Sequence, residues 1–142
     1  MEDNIGLEIA QQCVAGQIKM ISRVVTGIYD REMKKCGLKI TQASILVHLL
    51  AYGSRSRSAL GRSLQMDKST VSRNLDRMIN NGWVCEADGE NVDITPEGSE
   101  LITSARPQWE RAQVIVCDIL DIDGVDAVKM LTEKVKNKNK RK

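Results

Sequence analysis

Aromatic side chains are scarce in this chain of 142 residues, which has two Trp, two Tyr and no Phe. Its core must therefore be built mainly from Ile, Leu, Val and Met, and the sequence has few residues with which to form an aromatic cage around a ligand.

Histidine is scarcer still, because His48 is the one His in the sequence. A lone His has no companion with which to form a metal site, so we interpret it as a packed or surface residue and predict no metal and no cofactor.

The sequence signals of the common enzyme classes are also missing. We find no nucleophile elbow, no phosphate-binding glycine loop and no cluster of metal ligands in the sequence. The four cysteines, at positions 13, 36, 85 and 117, show no paired spacing of the kind used by zinc or thioredoxin chemistry. We therefore predict no catalytic residues, and structural cysteines are the default interpretation.

Long apolar runs are absent as well. No run approaches the roughly 20 residues that a membrane-spanning helix needs. The first residues, MEDNIGLEIAQQ, are acidic, unlike the basic and then apolar start of a signal peptide. We expect a cytoplasmic protein with no membrane partner, and the chain length suits one domain, residues 1–142, around one core.

The segment from Asp67 to Trp83, DKSTVSRNLDRMINNGW, combines a helix start, an apolar stripe and a basic outward face. Asp67 can cap a helix that begins at Lys68, because its carboxylate can accept hydrogen bonds from the free N–H groups of Ser69 and Thr70. Asn81 and Gly82 then end the helix. The apolar residues at helical spacing, which we expect to pack inward, are Val71, Leu75, Met78 and Ile79.

Packing that stripe inward turns hydroxyls, an amide and two guanidinium groups outward. Arg suits guanine edges and phosphates, and Ser, Thr and Asn suit phosphate or base contacts, so the composition fits a helix that lies in the DNA major groove. By itself it fits a solvated charged face equally well. The residues on the outward side and its flanks are Ser69, Thr70, Ser72, Arg73, Asn74, Asp76, Arg77 and Asn80.

The neighbouring segments favour DNA recognition over a solvated face. Ser56 can cap a short helix through Leu64, so that residues 56–81 read as a helix, a tight turn and a second helix. After the second helix, residues 83–87 and 90–95 carry β-branched residues on either side of Asp88-Gly89, a dipeptide that suits a hairpin turn. The sequence thus predicts a helix-turn-helix followed by a β-hairpin wing.

Charge is strongly segregated along the chain, although the net charge is only +2. Residues 53–82 carry a net charge of +4, the tail from Lys134 to Lys142 carries +6, and the rest of the chain carries −8. A basic unit on an acidic protein suits a polyanionic partner. We interpret the tail as a solvated end in preference to an arm that grips phosphates.

Helical patterns flank the helix-turn-helix on both sides. Residues 5–35 form one predicted helix, whose broad apolar stripe is too long for one small domain to cover, and Gly37 ends it. Thr41 is expected to cap the next helix. The apolar residues of the stripe are Ile9, Cys13, Ile18, Ile21, Val25, Ile28 and Tyr29, and the core face of the next helix comprises Ile45, Leu46, Leu49 and Leu50.

The C-terminal flank starts with Thr95-Pro96-Glu97, a cap followed by a proline. Pro107 lies inside the predicted helix and should kink it, and Gly124 with Asp121 and Asp123 marks a break before a last helix. The residues at near-heptad spacing after the cap are Leu101, Ala105, Trp109, Ala112 and Val116, and the residues of the last helix predicted to face inward are Val125, Val128, Leu131 and Val135. Since half-sites for such DNA readers commonly lie about 34 Å apart, we predict a homodimer through residues 5–35 and 97–136.

The segments SALGRSLQMDKSTVSRNLDRMINNGWV, ITPEG and ARPQWERAQ resemble the MarR family of bacterial transcription regulators in order and spacing, and the resemblance covers most of the chain. It implies a mainly α-helical fold, with a winged helix-turn-helix over residues 39–95, dimerisation helices at 5–35 and 97–136, and a basic tail at 137–142. It also implies a homodimeric DNA-binding protein, usually a repressor, that binds double-stranded, pseudo-palindromic operator DNA and that a small-molecule effector or cysteine oxidation releases. The DNA-binding residues we predict are Arg55, Arg57, Ser58, Lys68, Ser69, Thr70, Ser72, Arg73, Asn74 and Arg77.

Two features leave alternatives open. A redox-sensing branch of the family uses a cysteine in the first helix, where Cys13 lies, although its register is about two residues off and no Lys or Arg adjoins it. The wing departs from the family, whose wings carry an Arg that enters the minor groove, because residues 86–93 hold four acids and no base. Either the wing stands off the DNA, which we favour, or a cation bridges the wing and the DNA, or DNA binding is weak.

A different class of function, a winged helix that binds another protein, also fits the acidic hairpin and the basic tail.

Overall fold

The computed structural model describes residues 4–140 and is mainly α-helical, with one small sheet, as the sequence predicts. The helices are α1 (Ile5–Gln12), α2 (Val14–Met33), α3 (Ile40–Tyr52), α4 (Arg57–Leu64), α5 (Lys68–Asn80), α6 (Pro96–Ser104) and α7 (Arg106–Lys140). A 3₁₀ turn (Lys34–Cys36) follows α2, and the strands are β1 (Arg55–Ser56), β2 (Val84–Glu86) and β3 (Asn91–Ile94).

The main core lies where α3, α4 and α5 pack against the sheet. It contains the aliphatic and Met side chains that an aromatic-poor sequence must use. Its buried residues are Met33, Leu38, Ala43, Ile45, Leu46, Leu49, Leu60, Val71, Leu75, Met78, Val84, Val92 and Ala105. The α4–α5 unit therefore rests on α3 and on the wing strands, and this support fixes its position.

The sheet is antiparallel with the strand order β1-β3-β2. The predicted hairpin is present, with Val84 opposite Ile94 and Cys85 opposite Asp93. The first strand was not predicted. It is only two residues long, too short to show an alternation of apolar and polar residues, and its pairing with β3 joins Arg55 to Val92 across distant parts of the sequence.

The prediction of one helix over residues 5–35 is wrong in its details. Cys13 adopts an extended conformation, with φ −68° and ψ 108°, and separates α1 from α2. The Gln17 side chain donates to the Gln11 carbonyl at 3.2 Å and so satisfies one acceptor at the break. No Gly or Pro marks this position, so the periodic pattern continues through the break. At the other end, Gly37 ends the 3₁₀ turn with φ 74°, as predicted.

The start and the core face of α3 also differ from the prediction. The helix begins at Ile40, ahead of the predicted Thr41 cap, because the Ile40 N–H donates to the Asp30 carboxylate at 2.7 Å. The Lys39 N–H donates to the Gln42 side chain at 3.1 Å. Leu50, which we assigned to the core, is 50% exposed, since the buried face of α3 turns away from it.

The C-terminal flank contains two breaks. Thr95 caps α6 as predicted, with its hydroxyl accepting from the Gly98 N–H at 3.0 Å. The predicted kink at Pro107 is instead a helix end at Ala105, so Pro107 lies in the first turn of α7, where its missing N–H costs nothing. The break expected near Gly124 is present at Asp121, where φ is 58° and ψ is −178°.

Packing of α2 against α7 forms a second, smaller core around Ile28, Ala112 and Val116. The Arg111 guanidinium on α7 also forms an ion pair with the Glu32 carboxylate on α2, at an N–O distance of 3.4 Å. Much of the apolar surface of the flanking helices stays exposed in the single chain. The last-helix residues predicted to face inward, Val128, Leu131 and Val135, are among the exposed ones.

Between residues 4 and 140, no helix is both long enough and apolar enough to cross a membrane. The predicted basic tail begins inside α7, whose helical backbone reaches Lys140, while residues 141–142 lie outside the described part of the chain.

Candidate nucleic-acid interface

Helix α5 begins as the sequence predicts. The Asp67 carboxylate accepts hydrogen bonds from the Thr70 N–H at 2.7 Å and from the Ser69 hydroxyl at 2.8 Å. The Thr70 N–H bond, followed by the Ser69 bond, lowers the pKa of Asp67. A charged cap therefore fixes the first turn of α5 and orients the Ser69 side chain.

The inner side of α5 holds the helix on the core. Val71, Leu75 and Met78 are buried and Ile79 is partly buried, which confirms the predicted stripe. The opposite side is polar and exposed. Its exposed residues are Lys68, Ser69, Arg73, Asp76, Arg77 and Asn80.

The two helices of the unit are tied together by an ion pair that sequence reasoning missed. The Arg57 guanidinium, at the start of α4, donates to the Asp76 carboxylate on α5 at 2.9 Å and to the Ser72 carbonyl at 3.4 Å. The partners are 19 positions apart, and no local spacing rule links them. Arg57 is therefore a brace between the helices, in addition to being a predicted DNA contact.

A cleft of about 540 Å³ lies at the turn between α4 and α5. It brings together four of the predicted site residues, Arg57, Ser58, Lys68 and Ser72. Arg62 also lines the cleft and was not predicted, although its charge in the last turn of α4 was a usable signal. The charged lining residues are Arg57, Arg62 and Lys68 against Asp67, and Arg57 is also paired with Asp76, so the cleft keeps a modest positive excess that suits a phosphate.

Other predicted residues are less available for contacts. The Asn74 side-chain amide donates to the Thr70 carbonyl of its own helix at 2.8 Å, and both residues are partly buried. Arg55 lies in β1, away from the exposed face of α5, with its guanidinium 5.5 Å from the centre of the Tyr52 ring. The exposed predicted residues on α5 are thus the strongest members of the predicted set.

His48 packs beside this stack, with its ring centroid 4.7 Å from that of Tyr52. Burial, and then the nearby Arg55 charge, lowers the pKa of His48. Among the described residues, no group of three or more His, Cys, Asp or Glu side chains could hold a metal ion.

The wing is acidic in space as well as in sequence. Glu86, Asp88 and Glu90 are exposed around the turn, and Asp93 is partly buried on β3. Gly89 takes the positive φ, 67°, that the turn requires. The tip therefore presents negative charge on the same unit as the basic face of α5.

A large groove lies between the flanking helices and the end of α4. Its volume is about 1220 Å³, and its walls come from α2, from both halves of α7 and from the turn that precedes α5. Tyr29 donates a hydrogen bond to the Gln113 side chain on one wall. Burial, and then the neighbouring Cys117, raises the pKa of Tyr29, so its hydroxyl stays neutral.

Comparisons with known proteins agree on one family. The model of the MarR family matches residues 37–90, which contain α3, β1, α4, α5 and β2 and end just before β3. No curated protein matches the sequence. Residues 37–90 of this chain are therefore similar to the MarR family, and they carry most of the winged helix described above.

Solved MarR-family structures extend the match beyond the winged helix. The repressor CouR, bound to p-coumaroyl-CoA, is 16% identical, covering 90% of this chain and 94% of its own, with a TM-score of 0.81. A cysteine-to-serine mutant of E. coli MarR, complexed with operator DNA, is 18% identical, covering 89% and 96%, with a TM-score of 0.77. The M. tuberculosis regulator MosR is 25% identical, covering 90% and 98%, with a TM-score of 0.77. The fold resemblance to MarR proteins therefore includes the flanking helices.

Proposed function

We propose that this protein is a sequence-specific DNA-binding transcriptional regulator of the MarR family, with α5 as its recognition helix. The observation that supports this most directly is the exposed polar face of α5, which carries Arg73 and Arg77 on a helix whose other side is buried. The Arg57–Asp76 ion pair holds the first helix of the unit against it. A rigid helix that presents two guanidinium groups suits base edges and phosphates of the major groove.

We propose that the regulator works as a homodimer. Exposed apolar side chains that do not line the groove, such as Ile9 on α1, Val14 on α2 and Ile119 on α7, belong to the segments that flank the winged helix, where a second copy would bury them. Pairing of the flanking helices would place two copies of α5 on half-sites about 34 Å apart. The operator should then be pseudo-palindromic.

We further propose that it is a cytoplasmic repressor that a small ligand releases from DNA. The groove touches both flanking helices and also Arg62, Ser63 and Gln65, at the end of α4 and in the turn before α5. A bound molecule would therefore contact the proposed dimer helices together with the end of α4 and the turn that precedes the recognition helix. CouR is a relative of this fold that holds a small molecule, p-coumaroyl-CoA.

The proposal is tested by replacing the two outward arginines. Selection from random duplex DNA supplies the binding site, and fluorescence anisotropy then measures affinity against salt concentration. Arg73→Ala and Arg77→Ala should each weaken binding by about 5- to 150-fold, which corresponds to roughly 1–3 kcal/mol for a base contact. A phosphate contact would instead make the slope of log affinity against log salt shallower by about 1.

Arg106→Ala is the matched control, because Arg106 is an exposed arginine on α7 that pairs with Glu110 outside the winged helix. It should leave affinity within about twofold. Unchanged DNA binding in both α5 variants would remove the recognition role of this face. If no duplex DNA is selected and the protein binds another protein instead, the result would favour the alternative of a winged helix that binds a protein partner.

Thiol sensing is the second regulatory mechanism that the chain supports. Cys13 is a free, partly buried cysteine at the junction between α1 and α2, within the proposed dimer segment. Oxidation there would change packing at the break. The thiol mechanism fails if peroxide leaves DNA affinity unchanged while Cys13 reacts with an alkylating agent.

A further inference from the structure

The lining of the groove between α2, α4 and α7 has a distinctive chemistry. Its walls are mainly aliphatic, and Tyr29 is the one aromatic among the described lining residues. The volume of about 1220 Å³ lies above the 300–1,000 Å³ that is usual for small-molecule sites. The aliphatic lining residues are Ile18, Ile21, Val25, Val116, Leu120, Val125, Val128, Leu131 and Val135.

The charged residues of the groove all have the same sign. Arg62, Lys129 and Lys136 line it, and none of the described lining residues is an Asp or Glu. Arg62 comes from the basic segment 53–82 and Lys136 from the basic tail, whereas Lys129 comes from the acidic remainder of the chain. Aliphatic walls with only cationic charges are complementary to an apolar molecule with a negative head.

We propose that the groove binds a long-chain aliphatic carboxylate, with the chain along the aliphatic α2–α7 wall and the carboxylate paired with a cation of the lining, Arg62, Lys129 or Lys136. The aliphatic lining offers burial to methylene groups and little stacking to aromatic rings. A cationic side chain of the lining would compensate the desolvated carboxylate through charge-assisted hydrogen bonds. This inference names the ligand class for the regulator proposed above, and its effect on DNA rests on that proposed function.

Arg62 connects the groove to the helix-turn-helix, because it lies on the wall of the groove and on α4. It lies in the last turn of α4, and its carbonyl accepts from the Gln65 N–H at 3.4 Å and from the Gln65 side chain at 2.8 Å. Gln65 has a left-handed conformation, with φ 53°, just before α5. Arg62 also lines the cleft at the α4–α5 turn. A carboxylate that draws the Arg62 guanidinium into the groove would remove a positive charge from this cleft.

The experiment measures binding of dodecanoate to the full-length protein by calorimetry, below the micelle concentration. Dodecanol and dodecyltrimethylammonium, which share the chain and differ in head charge, are the comparison probes. Dodecanoate should bind at least tenfold more tightly than either. Among shorter and longer carboxylates, each additional buried methylene should tighten binding by about fourfold.

The double variant Lys129→Gln/Lys136→Gln should weaken dodecanoate binding by about tenfold or more. Its matched control is Lys134→Gln, which changes an exposed lysine of the same helix that does not line the groove, and it should leave the affinity unchanged. Equal affinity for the three probes, or an equal loss of affinity in the control variant, would show detergent-like adsorption and would overturn the proposal. A lack of dodecanoate binding would also overturn it, and this is the result expected if a second copy of the chain fills the groove.

Binding to DNA separates this inference from the proposed function. If dodecanoate binds as described but no duplex is selected, the regulatory function fails and the ligand class stands. If the protein binds its operator and dodecanoate neither binds nor lowers that affinity, the function stands and the inference fails.

Discussion

At the residue scale, Gly98 is the glycine whose surroundings leave the least room for a Cβ atom. A Cβ atom there would lie 2.1 Å from the Trp83 carbonyl oxygen and 3.0 Å from the Ile94 side chain. The same carbonyl accepts the Thr95 N–H at 3.0 Å, so the start of α6 is bonded to the end of the α5 turn. Neither backbone segment can move without breaking that contact.

Gly98→Ala should therefore lower the free energy of unfolding by about 3 kcal/mol or more, as overpacking against fixed backbone does. Urea denaturation followed by circular dichroism measures the change. Gly27→Ala is the matched control, because a Cβ at Gly27 in the middle of α2 meets nothing within 4 Å. It should raise helix stability slightly. Equal stability of the two variants would show that the α6 start can shift.

The Asp67 cap gives a pH-dependent contribution to stability. The folded state lowers the pKa of this carboxyl through its bonds to Thr70 and Ser69, so the contribution is present above the unfolded pKa, near 4. It is lost as the pH falls through the lower folded pKa. Asp67→Asn should keep a cap and remove this part of the pH dependence, whereas Asp67→Ala should lose both.

Unfolding midpoints measured from pH 7 down to about pH 2.5 test this, with Asp88→Asn at the exposed wing tip as the control. A pH dependence unchanged by Asp67→Asn would contradict the assignment of the cap charge.

At the element scale, the sequence predicts those parts of the fold that depend on neighbours in the chain. The caps at Ser56, Asp67 and Thr95 act within three residues, and all three are present. The break at Cys13 and the pairing of β1 with β3 depend on distant or weak signals, so they were missed. In the candidate site, the exposure of Arg73 and Arg77 followed from helical period, while the Arg57–Asp76 pair depends on how two helices pack.

The next prediction tests whether the acidic wing contacts DNA. If the wing stands off the DNA, the triple variant Glu86→Gln, Asp88→Asn, Glu90→Gln should change operator affinity by less than about twofold at 0.15 M salt. At that ionic strength, charges more than about 8 Å apart are largely screened. Anisotropy titration measures the effect, with Arg73→Ala as the variant expected to lose affinity. A gain of tenfold or more would show that these acids lie against phosphates.

At the scale of the whole molecule, the exposed apolar surface is concentrated outside the winged helix. Side chains such as Ile9, Val14, Ile119 and Met130, none of which lines the groove, are exposed on α1, α2 and α7 in the single chain. Burying one such side chain contributes roughly 1.5–3 kcal/mol, so a dimer that covers several of them would be stable at micromolar concentration. The same dimer would set the distance between the two copies of α5.

The last prediction follows from this distribution. Ile119 on α7 is 59% exposed, and Val47 on α3 is 52% exposed, so the two sites offer similar surfaces inside and outside the proposed interface. Ile119→Asp should shift the protein from dimer to monomer in sedimentation at micromolar concentration, because a buried unpaired carboxylate opposes association. Operator affinity should fall with it, since a monomer reaches only one half-site. Val47→Asp should stay dimeric and keep its affinity, and a wild-type protein that sediments as a monomer would overturn the flanking-helix interface.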